Sequence, residues 1–265
     1  MRRFSEEYLS ETRTGMWGDR DALSGLALAT RERVLDVGAG TGEFTRVLRE
    51  EVSGGDPGAL VTAVDADPDL LGAVSPPRLL GDATRLPVQA NTVDLAVCQA
   101  LLVNLDDPAR ALEELARVST DRVAVVEPDN SAVTVESTVG DETALARRAR
   151  GLYIRGSTVN PALGSARDLF EQAELAAVTV RRHNHVRTVE PPYSEQALES
   201  ARRKASGAGI ETDRETLLAA GLNPEAFDHL RGEWRAMGRQ VVEQMADSEY
   251  RRRETVPFYV TAGRV

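Results

Sequence analysis

Hydrophobic and polar positions alternate between two patterns over the first two-thirds of the chain. Short runs that are apolar almost throughout recur at RVLDVGAG (33–40), LVTAVDAD (60–67), TVDLAVCQA (92–100) and RVAVVEPD (122–129). Such runs suit strands buried on both faces, as in a parallel sheet. Between them, EFTRVLREEV (43–52) and DPARALEELARV (107–118) place apolar residues at helical spacing. Strands alternating with helices predict an α/β fold with right-handed crossovers and a doubly wound sheet. After Asp129 the pattern changes. It predicts a helix over 140–154, a loop through Pro161, a helix over 165–175 and a strand over 177–189. A long polar, helical stretch over 194–248 and a last strand over 256–262 follow. The stretch is too long for a plain connection between strands and reads as a helical insertion before the last one.

The chain has 265 residues, 42% of them hydrophobic, which allows one sizeable core or a core with a smaller appendage. No apolar run approaches the length of a bilayer span, and the N-terminus lacks the apolar region of a secretory signal. The single cysteine, Cys98, excludes an intrachain disulfide, so a reducing, cytoplasmic setting is expected. A net charge of −10 repels phosphate backbones, and no nucleic-acid partner is expected. His183, His185 and His229 do not have the spacing of a metal site, and no metal is expected. Oligomeric state is not legible.

Candidate chemistry enters with VLDVGAGTGEFT (34–45). Gly38, Gly40 and Gly42 follow a strand and precede a helix, where glycine permits a sharp turn and close approach of a ligand to the backbone. No Gly-Lys-[Ser/Thr] follows, which excludes a phosphate loop. The dinucleotide fingerprint requires glycine or alanine where this chain has Glu43, and Asp36 adds a second negative charge. A ligand with a cationic centre fits better than one with two phosphates. Asp65, at the end of the second strand, can accept both hydroxyls of a ribose, and Asp82, in Gly81-Asp82-Ala83, can accept from an adenine amino group.

The ordered set VLDVGAGTG, AVDAD, GDATRLP and TVDLAVCQALLVNLDDPARALEELARV resembles the class I S-adenosylmethionine-dependent methyltransferases, and within them the small-molecule group that includes quinone methyltransferases. The resemblance covers roughly residues 30–130. It implies a Rossmann-like, doubly wound sheet of seven strands with the last antiparallel, and S-adenosylmethionine as cofactor. It further implies that Asp36, Gly38 and Gly40 hold the methionine moiety, Asp65 with Ala66 the ribose, and Asp82 with Ala83 the adenine. Gln99 would stand near the sulfonium or the methionine tail. Residues 1–30 would form an N-terminal helical cover in which Arg13 pairs with the cofactor carboxylate and Tyr8 lines the pocket, or in which an amphipathic helix packs Phe4, Tyr8 and Leu9 on the sheet. Residues 31–192 and 254–265 would be the core, and 193–253 a helical lid over the acceptor.

The expected reaction is methyl transfer to a small-molecule acceptor, by in-line displacement on a carbon the sulfonium already activates. Glu127, at the end of the fifth strand, is the candidate to orient or deprotonate that acceptor, and a loop contact is the other reading of it. Tyr153, Tyr193, Trp234 and Tyr250 are candidate liners of the acceptor pocket. Glu190-Pro-Pro-Tyr193 resembles an amino-methyltransferase motif in the wrong place and reads as a strand terminator. A non-catalytic cofactor-binding protein, a macromolecular methyltransferase and a nicotinamide-dependent oxidoreductase remain as alternatives.

Overall fold

The computed structural model describes Arg13 and residues 15–53 and 58–265. Residues 1–12, Tyr8 among them, residue 14 and residues 54–57 lie outside the described residues. The part of the cover that is described is built of turns and two 3-10 helices, Asp21–Leu26 and Leu28–Thr30.

Two compact units divide the chain. The first comprises residues 1–129, 163–183 and 258–265; the second comprises 130–162 and 184–257. The second therefore takes in 130–162 together with the expected insertion 193–253.

The first unit carries strands β1 (Arg33–Val37), β2 (Leu60–Asp65), β3 (Arg78–Leu80), β4 (Val93–Gln99) and β5 (Ser119–Pro128). It also holds the first part of β7 (Ala176–Val189) and the last part of β8 (Arg252–Arg264). Their order is β3-β2-β1-β4-β5-β8, with β7 paired to β8. β1 through β5 pair in parallel, and β8 runs antiparallel to β5 from Arg122↔Arg264 to Pro128↔Phe258. This is the expected seven-stranded arrangement with its last strand antiparallel. The apolar runs become its middle strands: four of the five residues of β1 and the last six of β5 are buried. Chain order reverses between β1 and β4, so a crevice opens at their carboxyl ends, where open α/β sheets bind ligands.

The crossovers are the expected amphipathic helices. α1 (Glu43–Ser53) buries Phe44, Val47, Leu48 and Val52, one stripe at helical spacing. A short helix, α2 (Pro68–Gly72), starts at Asp67, whose carboxylate accepts from the Asp69 and Leu70 amides. α3 (Pro108–Val118) is capped by Asp107, which accepts from Arg110 N at 2.9 Å, with proline in the first turn. Its inner face carries Ala111, Leu112, Leu115 and Val118. After the third crossover the expected helix over 165–175 shortens to Arg167–Gln172.

The second unit holds an eighth strand, β6 (Thr134–Ser137), paired antiparallel with the first residues of β8 from Thr134↔Thr255 to Ser137↔Arg252. Four residues with one buried valine leave no pattern in the sequence; the strand exists because the long β8 offers it an edge. Its helices are α4 (Glu142–Gly156), α6 (Glu195–Ser206), α7 (Ala208–Thr212), α8 (Arg214–Ala219) and α9 (Pro224–Ala246), α5 being Arg167–Gln172 of the first unit. Phe227, Leu230, Met237, Val241, Met245 and Tyr250 lead its core. Two of the expected pocket liners are engaged inside it: Tyr250 is buried, and Tyr193 Oη donates to Tyr250 O at 3.0 Å.

Gly238 lets α9 meet α6 backbone to backbone. A Cβ there would stand 2.3 Å from Ala205 N and from Lys204 C, which are main-chain atoms and cannot rotate away. Gly238→Ala is expected to cost about 2–3 kcal/mol, the upper part of the range for overpacking. Urea unfolding of the variant beside the parent checks this.

No helix among the described residues is long and apolar enough to cross a membrane.

Candidate cofactor site

The glycine-rich turn hangs from β2. Gly38 N and Ala39 N both donate to Val64 O, at 2.8 and 3.0 Å, and Gly40 N donates to Asp65 Oδ2 at 2.7 Å. Gly38 has φ +71°, and a Cβ on it would lie 2.8 Å from Leu101 Cδ1. The position thus needs glycine for its backbone angle and again for the leucine packed over it.

Asp65 is buried at the tip of β2. Besides Gly40 N it accepts from Asp67 N, on Oδ1, at 2.9 Å. Each carboxylate oxygen thereby holds one backbone amide and keeps lone-pair capacity for a diol. Ala66 is the intervening residue of that turn.

Asp36, next to the end of β1, is 1% exposed and accepts from Thr45 Oγ1 at 2.6 Å. Burial pushes its carboxyl up to about 6, while the Thr45 hydroxyl and the Arg13 guanidinium pull it down. Thr45, in the first turns of α1, is a partner the sequence did not mark.

Asp82 is exposed, and its Oδ1 accepts from Thr84 N and Thr84 Oγ1, both at 2.8 Å. Ala83 beside it is buried. The loop is fixed from below by Glu114 of α3, a buried carboxylate that accepts from Leu86 N at 2.8 Å. Arg117 completes the anchor by donating to Leu86 O, Val88 O and Glu114. The hydrogen bonds and charge of Arg117 help hold the Glu114 carboxyl below its ordinary range.

Gln99 ends β4, 2% exposed, with its amide engaged by the N-terminal segment. Trp17 Nε1 donates to Gln99 Oε1 at 3.0 Å, and Gln99 Nε2 donates to Met16 Sδ at 3.2 Å. Trp17 is also sandwiched between Phe44, at 5.2 Å between ring centroids, and His183, at 5.1 Å. His183 Nε2 is 2.8 Å from Met16 O, so the imidazole is a clasp for this segment. Replacing Gln99 by leucine would leave the Trp17 indole N–H buried and unpaired, at a cost of about 1–3 kcal/mol. Thermal and urea unfolding of Gln99→Leu measure it.

Glu127 is the acid for which the sequence left an acceptor contact and a loop contact both open. It is 0% exposed, Oε1 accepting from Leu101 N and Leu102 N at 3.0 and 2.9 Å and Oε2 from Val103 N at 3.3 Å. The carboxyl group caps the 3-10 helix Leu102–Asn104 and holds the loop after β4. Of the two readings, the loop contact describes its surroundings: it has no surface for an acceptor. Burial pushes its carboxyl up to about 7 against the three amides and Arg13, which pull it down. Arg13 is partly buried and close enough to act on both Asp36 and Glu127. Cys98 Sγ stands 3.9 Å from Glu127 Oε1, and burial raises its thiol well above its ordinary range, so it is an inert core residue. Among the described residues no group of histidine, cysteine and carboxylate side chains could hold a metal.

Comparison with known proteins then bears on this geometry. Residues 35–125 match the family model described as a methyltransferase domain. An uncharacterized methyltransferase of Mycobacterium tuberculosis is 44% identical over 103 residues, 37% of this chain and 40% of that protein. The chain thus spans two-fifths of that relative's length. A demethylmenaquinone methyltransferase of Mycolicibacterium paratuberculosis is 32% identical over 161 residues, 58% of this chain and 67% of that protein. The chain belongs to the S-adenosylmethionine-dependent methyltransferases. A solved structure, the YcgJ protein of Bacillus subtilis, aligns with a TM-score of 0.48 at 17% identity, covering 91% of this chain and 97% of that one. The cofactor of this methyltransferase family is S-adenosylmethionine. The donor set fits it: the crevice presents carboxylates and backbone amides, and Glu43, whose two oxygens lie 2.8 Å from Thr41 Oγ1, stands where a pyrophosphate would be repelled.

Proposed function

We propose that the chain transfers the methyl group of S-adenosylmethionine to a small-molecule acceptor. The observation that carries this reading is the Asp65 carboxylate at the tip of β2, tied to Gly40 N and still able to accept from a ribose diol. Asp82 and Ala83 would take the adenine, Asp36, Gly38 and Gly40 the methionine end, and Arg13 the cofactor's carboxylate. Gln99 would act through the segment it clasps, Met16–Trp17. The cofactor supplies an activated methyl group, and the chain's own residues bind, orient and keep water out. No general base is assigned, because the buried Glu127 shapes the loop at 101–104. The net charge of −10 favours a small acceptor over a nucleic acid, and the quinone named for the more distant relatives is one such molecule.

Calorimetric titration with S-adenosylmethionine, S-adenosylhomocysteine and NAD tests the reading. Binding of both adenosyl compounds and not NAD is the expected result, followed by a screen of small acceptors for methyl uptake. Preference for NAD, or a folded protein that binds none of the three, would sink it.

A further inference from the structure

We propose that the second unit contains a binding site for a phosphate dianion, either free or carried by an organic molecule, built from Arg150, Arg187, Lys204 and Arg252. Chain topology brings these four cations together. Arg150 lies two turns after Glu142 on α4, Lys204 is on α6, Arg187 on β7, and Arg252 and Glu254 share one face of β8. Among the described residues two carboxylates, Glu142 and Glu254, pair with them. Glu142 is 1% exposed, with Lys204 Nζ at 2.5 Å and Arg252 Nε at 3.2 Å. It also accepts from Ser137 Oγ at 2.6 Å and Tyr250 Oη at 2.8 Å. Glu254, 5% exposed, receives Arg150 Nη2 and Arg252 Nη2, each at 3.1 Å, together with Arg187 Nη2.

Four positive and two negative charges leave an excess of two positive charges in a protein whose net charge is −10. Glu142 already has four partners and Glu254 three, while donors remain. The Nε–H of Arg187 is buried without a hydrogen-bond partner, and the Nε–H of Arg252 lies near Glu142 without being aimed at it. The like charges act on one another: Arg187 and Arg252 help burial lower the Arg150 guanidinium, and Arg252 helps burial lower Lys204. A compact dianion removes that repulsion and fills the open donors. Planar guanidinium forks beside a lysine point charge suit a phosphate. Partial exposure of Arg187 and Arg150, 31% and 21% of the side chain, gives it a way in.

The test is calorimetric titration of the full chain with inorganic phosphate and with methyl phosphate, ionic strength being held constant with chloride. Saturable binding is expected, weakened about tenfold or more in Arg187→Gln by loss of one charge-assisted donor pair. Arg167→Gln, which breaks an exposed ion pair with Glu171 in the first unit, should bind as the parent does. Tighter binding of methyl phosphate assigns the site to an organic phosphomonoester, and tighter or equal binding of inorganic phosphate assigns it to the free anion. Should Arg187→Gln not fold, Arg187→Lys keeps the charge without the fork and is expected to bind more weakly than the parent. No saturable binding by the parent, or equal affinity in the parent and the folded Arg187 variant, would overturn the proposal. Neither result depends on methyl transfer.

Discussion

Replacing Asp65 by alanine is expected to weaken S-adenosylhomocysteine binding by about a hundredfold or more. The carboxylate does two things at once: it would accept the ribose hydroxyls, and it already holds Gly40 N at 2.7 Å and Asp67 N at 2.9 Å. A hydrogen bond to a charged group contributes about 1.5–3 kcal/mol, so two of them to a ribose account for that factor or more. Loss of the Gly40 bond adds to it, because the glycine turn is then held to β2 only through Val64 O. Asp65→Asn separates the contributions. One amide oxygen can still accept, but its NH2 faces a donor, so an intermediate loss is expected. Calorimetric titration, with far-ultraviolet circular dichroism to establish folding, gives both values. An Asp65→Ala protein that is folded and binds the cofactor product as tightly as the parent would remove Asp65 from the site.

The second large effect is on stability and belongs to Glu127. Glu127→Ala leaves the Leu101, Leu102 and Val103 amides without their acceptor in a fully buried place. About 3–5 kcal/mol is expected, from three buried amide N–H groups left unpaired at about 1–3 kcal/mol each before local relaxation. This loss should itself depend on pH. The folded carboxyl titrates near 7 rather than at its ordinary 4.5, so the folded state holds the proton more tightly than the unfolded chain does. The contribution is therefore greatest below about 4.5 and falls as pH rises to about 7, on the order of 3 kcal/mol over that window. Asp36, raised to about 6 from 3.8, adds a fall of the same sign between those values. Urea unfolding of Glu127→Ala at pH 5 and pH 8 should show a larger deficit at pH 5. Glu127→Gln, which keeps an acceptor but does not titrate, should flatten the profile. Equal deficits at both pH values would show that Glu127 is ionised throughout.

The parts of the site visible in the sequence were those whose residue type is dictated by one local demand. Gly38 must adopt a positive φ under Leu101, and Asp65 must end a buried strand in a polar group; both leave a mark within a few residues. The partners that make these groups work lie far along the chain. Thr45 reaches back to Asp36, Glu114 holds the loop of Asp82 from another helix, and His183 clasps Met16 from 167 positions away. At Glu127 the sequence left an acceptor contact and a loop contact both open, and the loop after β4 folds over the acid and takes its oxygens.

Sequence alone determined the alternation of buried strands and amphipathic helices, and a carboxylate-lined, phosphate-averse ligand turn. These follow from local periodicity, from glycine's access to positive φ and from charge, all of which act over short stretches of chain. Tertiary structure alone decided that β6 exists, that Gln99 and His183 grip the segment at Met16–Trp17, and that Glu127 is a cap. It also gathered four cations around two carboxylates in the second unit. Those outcomes depend on which polar group meets which when distant segments are packed out of water. A buried donor or acceptor must find a partner wherever the fold supplies one, and no local pattern records where that will be.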